Sequence, residues 1–130
     1  MNKLKRAIKD SAVEPMQVTA RDTVMRKYCF PSDFVGFSGH FPGYPILPAL
    51  VQLMTGVSLL EERKGRTLKI ETLVNAKFLM ELRPNQEILV QCQDSAVQGK
   101  PGCKITLYVD DRTAASFSMT FKERVDEDEW

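Results

Sequence analysis

The chain has 130 residues, of which 43% are hydrophobic and 27% charged, and its net charge is +1, the composition of one globular domain. The near-neutral charge, without a basic stripe among aromatics, argues against nucleic acid as a partner, and no apolar run approaches the roughly 20 residues of a membrane-spanning helix. The chain has one histidine, and its three cysteines, Cys29, Cys92 and Cys103, do not have the spacing of metal ligands. The sequence therefore predicts reduced thiols in the cytoplasm and no metal or other cofactor.

The first forty residues give weak structural signals. Residues 3–10 predict a short helix, and residues 23–30 predict a strand. Residues 34–39 combine aromatic side chains with glycines and lead to His40. We predict a single domain over residues 1–130, with residues 1–20 as an N-terminal extension.

An abrupt change of pattern occurs at Pro48. Pro42, Pro45 and Pro48 deny the preceding segment regular structure. Apolar residues then recur at helical spacing, which predicts a helix that starts at Pro48 and stops at Gly65. The residues of this predicted apolar stripe are Leu50, Leu53, Met54, Val57 and Leu60.

The start of this helix has no side chain that caps it. Leu47, the natural N-cap, carries no oxygen, so the amides of Ala49, Leu50 and Val51 lack a local acceptor. Such an N-terminus receives a carbonyl oxygen or an anion. The alternative is that a main-chain carbonyl from elsewhere in the protein caps it.

Four strand candidates follow the helix. The first covers residues 68–82, and alternating apolar residues mark three more, around residues 88–92, 105–109 and 115–121. One long apolar helix with several antiparallel strands predicts an α+β domain in which a curved sheet wraps around the helix. Residues 123–130 form an acidic tail.

The segment from Gly39 to Ala49, GHFPGYPILPA, resembles the motif of the β-hydroxyacyl-(acyl-carrier-protein) dehydratases of fatty-acid synthesis. The looser similarity runs from about Asp22 to Lys122. It implies a hot-dog fold, which is a curved antiparallel sheet around a long central helix, paired as a dimer. It also implies a reaction, the elimination of water from a 3-hydroxyacyl thioester.

The resemblance also implies residue roles. His40 occupies the position of the base that removes the C2 proton, a task that suits a group with a pKa near neutrality. The Ile46 carbonyl lies where the family orients that histidine, and the Ala49 amide lies where a glycine amide binds the thioester oxygen. Gly43 permits close backbone approach or simply a turn.

The chain departs from the family pattern at the catalytic acid. The family carries a carboxylate fourteen residues after the histidine, and here that position is Met54. Glu61 and Glu62 lie two turns farther along the helix, roughly 10 Å away. Tyr44, Cys92 and Cys103 are alternative proton donors without a sequence signal to place them. Leu50 and Met54 are candidates to line an acyl tunnel.

Three interpretations therefore stay open. The chain is a dehydratase in which His40 also returns the proton, or it is one subunit of a heterodimer whose partner supplies the acid. Alternatively it binds acyl thioesters without turnover, or belongs to another class of thioester enzyme. Acyl-carrier protein or a coenzyme A thioester is the expected partner, and a homodimer, heterodimer or higher oligomer is the expected assembly. Basic residues that are candidates for carrier docking are Lys77, Arg83, Lys100 and Lys104.

Overall fold

The computed structural model describes residues 2–37 and 43–122. Within these ranges the chain forms two α-helices, one 3₁₀ turn and six strands. In chain order they are α1 (Lys3–Asp10), β1 (Gln17–Ala20), β2 (Thr23–Cys29), the 3₁₀ turn (Val35–Phe37), α2 (Ala49–Lys64), β3 (Ile70–Phe78), β4 (Glu87–Val97), β5 (Lys100–Val109) and β6 (Arg112–Phe121).

The six strands form one antiparallel sheet in the order β1-β2-β4-β5-β6-β3. The sheet is curved and packs against α2, so the predicted α+β architecture is confirmed. The apolar positions predicted for β4, β5 and β6 are buried with few exceptions, because alternate side chains of these strands face the core. None of the helices in the described ranges has the length and apolar character needed to span a membrane.

The middle of α2 lies close to the sheet because residue 56 is glycine. A Cβ atom at Gly56 would come within 2.6 Å of the Ile105 side chain on β5. The Gly56 carbonyl also accepts a hydrogen bond from the Cys92 thiol on β4, at 3.4 Å. Any larger residue at position 56 would therefore push the helix away from the sheet.

The rotation of α2 differs from the one that its apolar pattern predicts. Leu60 is buried, but Leu50 is 64% exposed, and Leu53, Met54 and Val57 are half-buried. We call Leu50, Leu53, Met54 and Val57 the open face of α2. The side that is buried instead carries several polar residues, which are Gln52, Thr55, Ser58 and Glu61.

Local hydrogen bonds and ion pairs make this polar side compatible with burial. The Thr55 hydroxyl donates to the Val51 carbonyl at 2.8 Å. One Glu61 oxygen accepts from the Leu68 amide at 2.8 Å, and the other is paired with Lys5 of α1 at 2.6 Å. Glu61 therefore ties α1 and the segment before β3 to α2.

The predicted extension, residues 1–20, contributes both α1 and the edge strand β1. The α1 helix begins with a side-chain cap, since Asn2 accepts from the Lys5 amide at 2.6 Å. Its Ile8 is completely buried. The sequence does not predict β1, because Val18 and Ala20 alternate with polar residues over only four positions and all four residues are exposed.

The first predicted strand after the helix, residues 68–82, is too long. The strand β3 ends at Phe78, and its pairing with β6 slips between Val74 and Lys77. Asn75 lies in this irregular stretch with φ of 55°, a left-handed conformation that interrupts the alternation of side chains. Most of β3 is exposed in the single chain.

Burial of neutral acidic groups makes the fold sensitive to alkaline pH. Desolvation raises the pKa of the Cys92 thiol well above its ordinary value of 9.0, that of Cys103 to about 12, and that of Tyr28 to about 12. The unfolded chain therefore releases these protons first, and stability is lost as the pH rises above about 9.

We expect the free energy of unfolding to fall by up to about 1.4 kcal/mol per pH unit for each group that titrates only in the unfolded chain. Urea denaturation between about pH 8 and about pH 10.5 measures this loss. The Cys103→Ala variant is the control, because it should show a smaller slope than the wild type. Equal stability across that range would contradict the expectation.

Candidate active site at the start of the central helix

A cavity of about 370 Å³ lies at the N-terminal end of α2. One wall is formed by residues 46–49 and Gln52, and the other by residues 78–81, which begin at the last residue of β3. Its volume lies within the range of small-molecule sites. The cavity therefore joins the end of the proline-rich motif to the first turn of the helix.

The first turn of α2 carries no side-chain cap, as the sequence predicts. Pro48 is the N-cap, with φ of −63° and ψ of 151°, and helical geometry begins at Ala49 rather than at Pro48. Within residues 2–37 and 43–122, no carbonyl accepts a hydrogen bond from the Ala49 amide. Since Ala49 lines the cavity, its N–H group is a donor available at the cavity's edge.

Gln52 is the polar side chain that the sequence analysis missed. It lines the cavity and is only 4% exposed. Its Nε2 atom donates to the Leu47 carbonyl at 3.0 Å, and the Leu47 amide donates to the Leu82 carbonyl at 2.7 Å. The signal in the sequence was a lone amide side chain one turn after Ala49 in an otherwise apolar stretch.

The side chain of Tyr44, within the proline-rich motif, contacts two residues that follow β3. Its hydroxyl donates to Glu81 at 2.8 Å, and the Arg83 guanidinium lies 3.6 Å from the centre of its ring, a cation–π contact. Gly43 before it has φ of 83°, and the space beside its Cα is open within the described residues. Its backbone conformation, rather than close approach of another group, therefore requires glycine.

The other predicted site residues are distributed over two places. Ile46 and Ala49 line the cavity, whereas Leu50 and Met54 belong to the open face of α2 and do not line it. His40, the predicted base, lies outside the described residues. The tunnel role of Leu50 and Met54 stays a prediction, and it requires a second chain that covers the open face.

The alternative proton donors lie away from the cavity or are already engaged. Cys92 and Cys103 are buried in the core and do not line the cavity. Glu61 is bound to Lys5 and Leu68, and Glu62 is paired with Arg26 at 2.9 Å. Both carboxylates are thus engaged in structural contacts near the C-terminal end of α2, away from the cavity at its N-terminal end. Of the docking candidates, Arg83 stacks on Tyr44, and Lys100 lies 3.9 Å from Glu71.

The model of the ApeI-like family, described as ApeI dehydratase, matches residues 16–127 of this chain. The chain belongs to the ApeI-like dehydratase family. The resemblance inferred from the motif is therefore confirmed at the level of the family, while the replacement of the family's carboxylate by Met54 stays a prediction.

Relatives of known activity agree with this assignment. The chain is 32% identical over 92 residues to the 3-hydroxyacyl-(acyl-carrier-protein) dehydratase FabZ of Fusobacterium nucleatum, a match that covers 65% of this chain and 64% of that protein. It is 29% identical over 93 residues to the FabZ of Bacillus cereus, covering 65% of each. The chain thus spans slightly less than two thirds of the length of these relatives.

Two solved structures share the fold. The dehydratase heterocomplex ApeI:P from Xenorhabdus doucetiae superimposes with a TM-score of 0.75 at 18% identity, covering 86% of this chain and 96% of that one. The E. coli PaaI protein from the phenylacetic acid degradation operon gives a TM-score of 0.65 at 12% identity, covering 93% and 90%. These similarities confirm the hot-dog fold.

Proposed function

We propose that this ApeI-like protein eliminates water from 3-hydroxyacyl thioesters carried by acyl-carrier protein or coenzyme A, in the cytoplasm. The observation that carries the proposal is the cavity at the start of α2, where the Ala49 amide lacks an acceptor among the described residues. The reaction turns the thioester carbonyl into a group that carries negative charge, and an aimed N–H donor stabilises that charge. The names of the FabZ relatives support the same substrate class.

In the proposed reaction, His40 takes the proton from C2 of the acyl chain. The electrons of the C2–H bond move toward the thioester oxygen, which becomes negatively charged. They then form the new C2–C3 double bond as the C3–O bond breaks. The departing hydroxyl takes a proton and leaves as water, so that atoms and charge balance. His40 itself returns the proton, or an acid from another chain supplies it.

The second candidate function is one subunit of a heterodimeric dehydratase. It is favoured by the open face of α2, where Met54 lies half-buried in the single chain and Leu50 is 64% exposed. An apolar helix face of this kind is suited to cover by another chain. The similar ApeI:P structure is itself described as a dehydratase heterocomplex. A partner that carries a carboxylate opposite His40 would complete the site.

The exposed edge strand β3 also favours assembly. Its neighbour on one side is β6, and on the other side no strand of the described residues pairs with it. Ile70, Leu73 and Phe78 of this strand are exposed hydrophobic residues. An unpaired, apolar edge is a site for a partner strand, so we expect at least a dimer.

The test is dehydration of a 3-hydroxyacyl pantetheine thioester, followed through the absorbance of the enoyl product. We expect turnover by the wild type, and a loss of about 10²–10⁴ in kcat for His40→Ala because a general base is removed. The assay is run on the chain alone and together with any carboxylate-bearing relative encoded beside it. Turnover only in the mixture would favour the heterodimer.

If the thioester binds but is not converted, either by the chain alone or by the mixture, the dehydratase proposal is wrong and a role in acyl-thioester binding is supported. Equal rates for the wild type and His40→Ala would show that the base has been assigned wrongly. A folded control is needed, and the thermal unfolding of both proteins should agree within a few degrees.

A further inference from the structure

The Oε1 atom of Gln52 is a buried acceptor without a hydrogen-bond partner in the described part of the chain. Leaving such an atom unsatisfied typically costs about 1–3 kcal/mol. Side chains in this condition are rare in native proteins and call for an explanation. Because Gln52 lines the cavity, a ligand in that cavity is the natural source of the missing donor.

The orientation of the Gln52 amide is fixed by its surroundings. A carbonyl oxygen only accepts hydrogen bonds, so the group 3.0 Å from the Leu47 oxygen is the NH₂ side of the amide. The Leu47 peptide is itself anchored, because its N–H donates to Leu82 at 2.7 Å. The oxygen side of the Gln52 amide is therefore the side left to accept from a ligand.

We propose that Gln52 Oε1 accepts a hydrogen bond from the 3-hydroxyl group of the substrate, an inference that rests on the proposed function. Ala49 and Gln52 are three positions apart, so they share one face of the helix. A thioester oxygen on C1 and a hydroxyl on C3 present two polar groups a short distance apart. The Ala49 amide would bind the first, and Gln52 the second.

This contact orients the leaving group for elimination. When the hydroxyl hydrogen is directed to Gln52, the lone pairs of the hydroxyl oxygen stay free to receive the proton that converts it to water. Gln52 gives and takes no proton itself. Its contribution is to distinguish the hydroxylated substrate from saturated acyl chains and to hold the C3–O bond in one position.

The test compares two pantetheine thioesters that differ only in the 3-hydroxyl group. Both carry two methyl groups on C2, so no proton can be removed and binding is measured without turnover. We expect the wild type to bind the hydroxylated ligand about 3–10 times more tightly, the value of one hydrogen bond. In Gln52→Met the ratio should fall to about one.

Two further variants separate this role from a structural one. Gln52→Glu keeps an acceptor oxygen but loses the donor to Leu47, so it should be less stable and still prefer the hydroxylated ligand. Gln93→Met, on the exposed part of β4, should change neither ligand's affinity. If Gln52→Met and Gln52→Glu weaken both ligands equally, Gln52 only supports the Leu47 peptide and the inference is wrong.

The outcomes also distinguish this inference from the proposed function. A wild type that dehydrates 3-hydroxyacyl thioesters and yet binds the two dimethyl ligands equally retains its function and loses the role of Gln52. A wild type that prefers the hydroxylated ligand but never forms the enoyl product retains the contact and loses the dehydratase activity.

Discussion

Replacing Ala49 by proline should lower kcat for dehydration by about 10²–10³ without unfolding the protein. The change removes the backbone N–H group that we propose as the hydrogen-bond donor to the thioester oxygen. Proline is well tolerated at the first helical position. Pro48 already has ψ of 151°, the extended conformation that a residue before proline requires.

The matched control is Ala49→Gly. It keeps the N–H group and places at position 49 the glycine of the family motif, so its kcat should stay near that of the wild type. Circular dichroism and thermal unfolding check that Ala49→Pro retains α2, and its free energy of unfolding should change by less than about 1 kcal/mol. Full activity in a folded Ala49→Pro protein would remove the amide from the mechanism.

The Met54→Glu variant should dehydrate the substrate about 10–10² times faster than the wild type. This gain is part of the rate enhancement that a positioned general acid contributes. The resemblance to the dehydratase motif implies that the family carries its acid at this position. Met54 lies on the open face of α2, half-buried. A partner chain that covers this face would desolvate the new carboxyl group and raise its pKa, which suits a proton donor.

The control for Met54→Glu is Met54→Gln, which has a similar size and no titratable proton and should show no gain. A mixed assembly then tests which chain uses the acid. A chain that carries both His40→Ala and Met54→Glu is inactive alone, but mixed with the wild type it should restore part of the gain if the acid acts in the partner's site. A mixture no faster than the wild type would place the acid and the base in one chain.

Much of the sheet is predictable from the sequence because local patterns and burial agree there. Val90 and Cys92 alternate with Gln91 and Gln93, and β4 buries Ile88, Val90 and Cys92. The end of α2 is equally local, since Gly65 takes the left-handed conformation, with φ of 72°, that the stop signal predicts. The uncapped helix start is also predictable, because residues 46–49 carry no side-chain oxygen.

The remaining features depend on contacts that a single sequence does not display. Gln52 and Thr55 are buried although hydrophobicity alone favours the opposite side of α2. The Gln52 Nε2 atom and the Thr55 hydroxyl donate to the main-chain carbonyls of Leu47 and Val51. The irregular pairing within β3 coincides with a left-handed asparagine, Asn75, and most Asn residues do not adopt that conformation. The position of His40 relative to the cavity stays a prediction.

The open face of α2 affects how this protein can be produced and purified. In the single chain Leu50 is exposed to water, so we expect self-association through this face to compete with the pairing that we propose. We expect the yield of non-aggregated protein to rise when the proposed partner chain is produced in the same cells. We expect it to fall when the complex is diluted below its dissociation constant. If that partner is a different protein, we expect balanced production of the two chains to limit aggregation of either one.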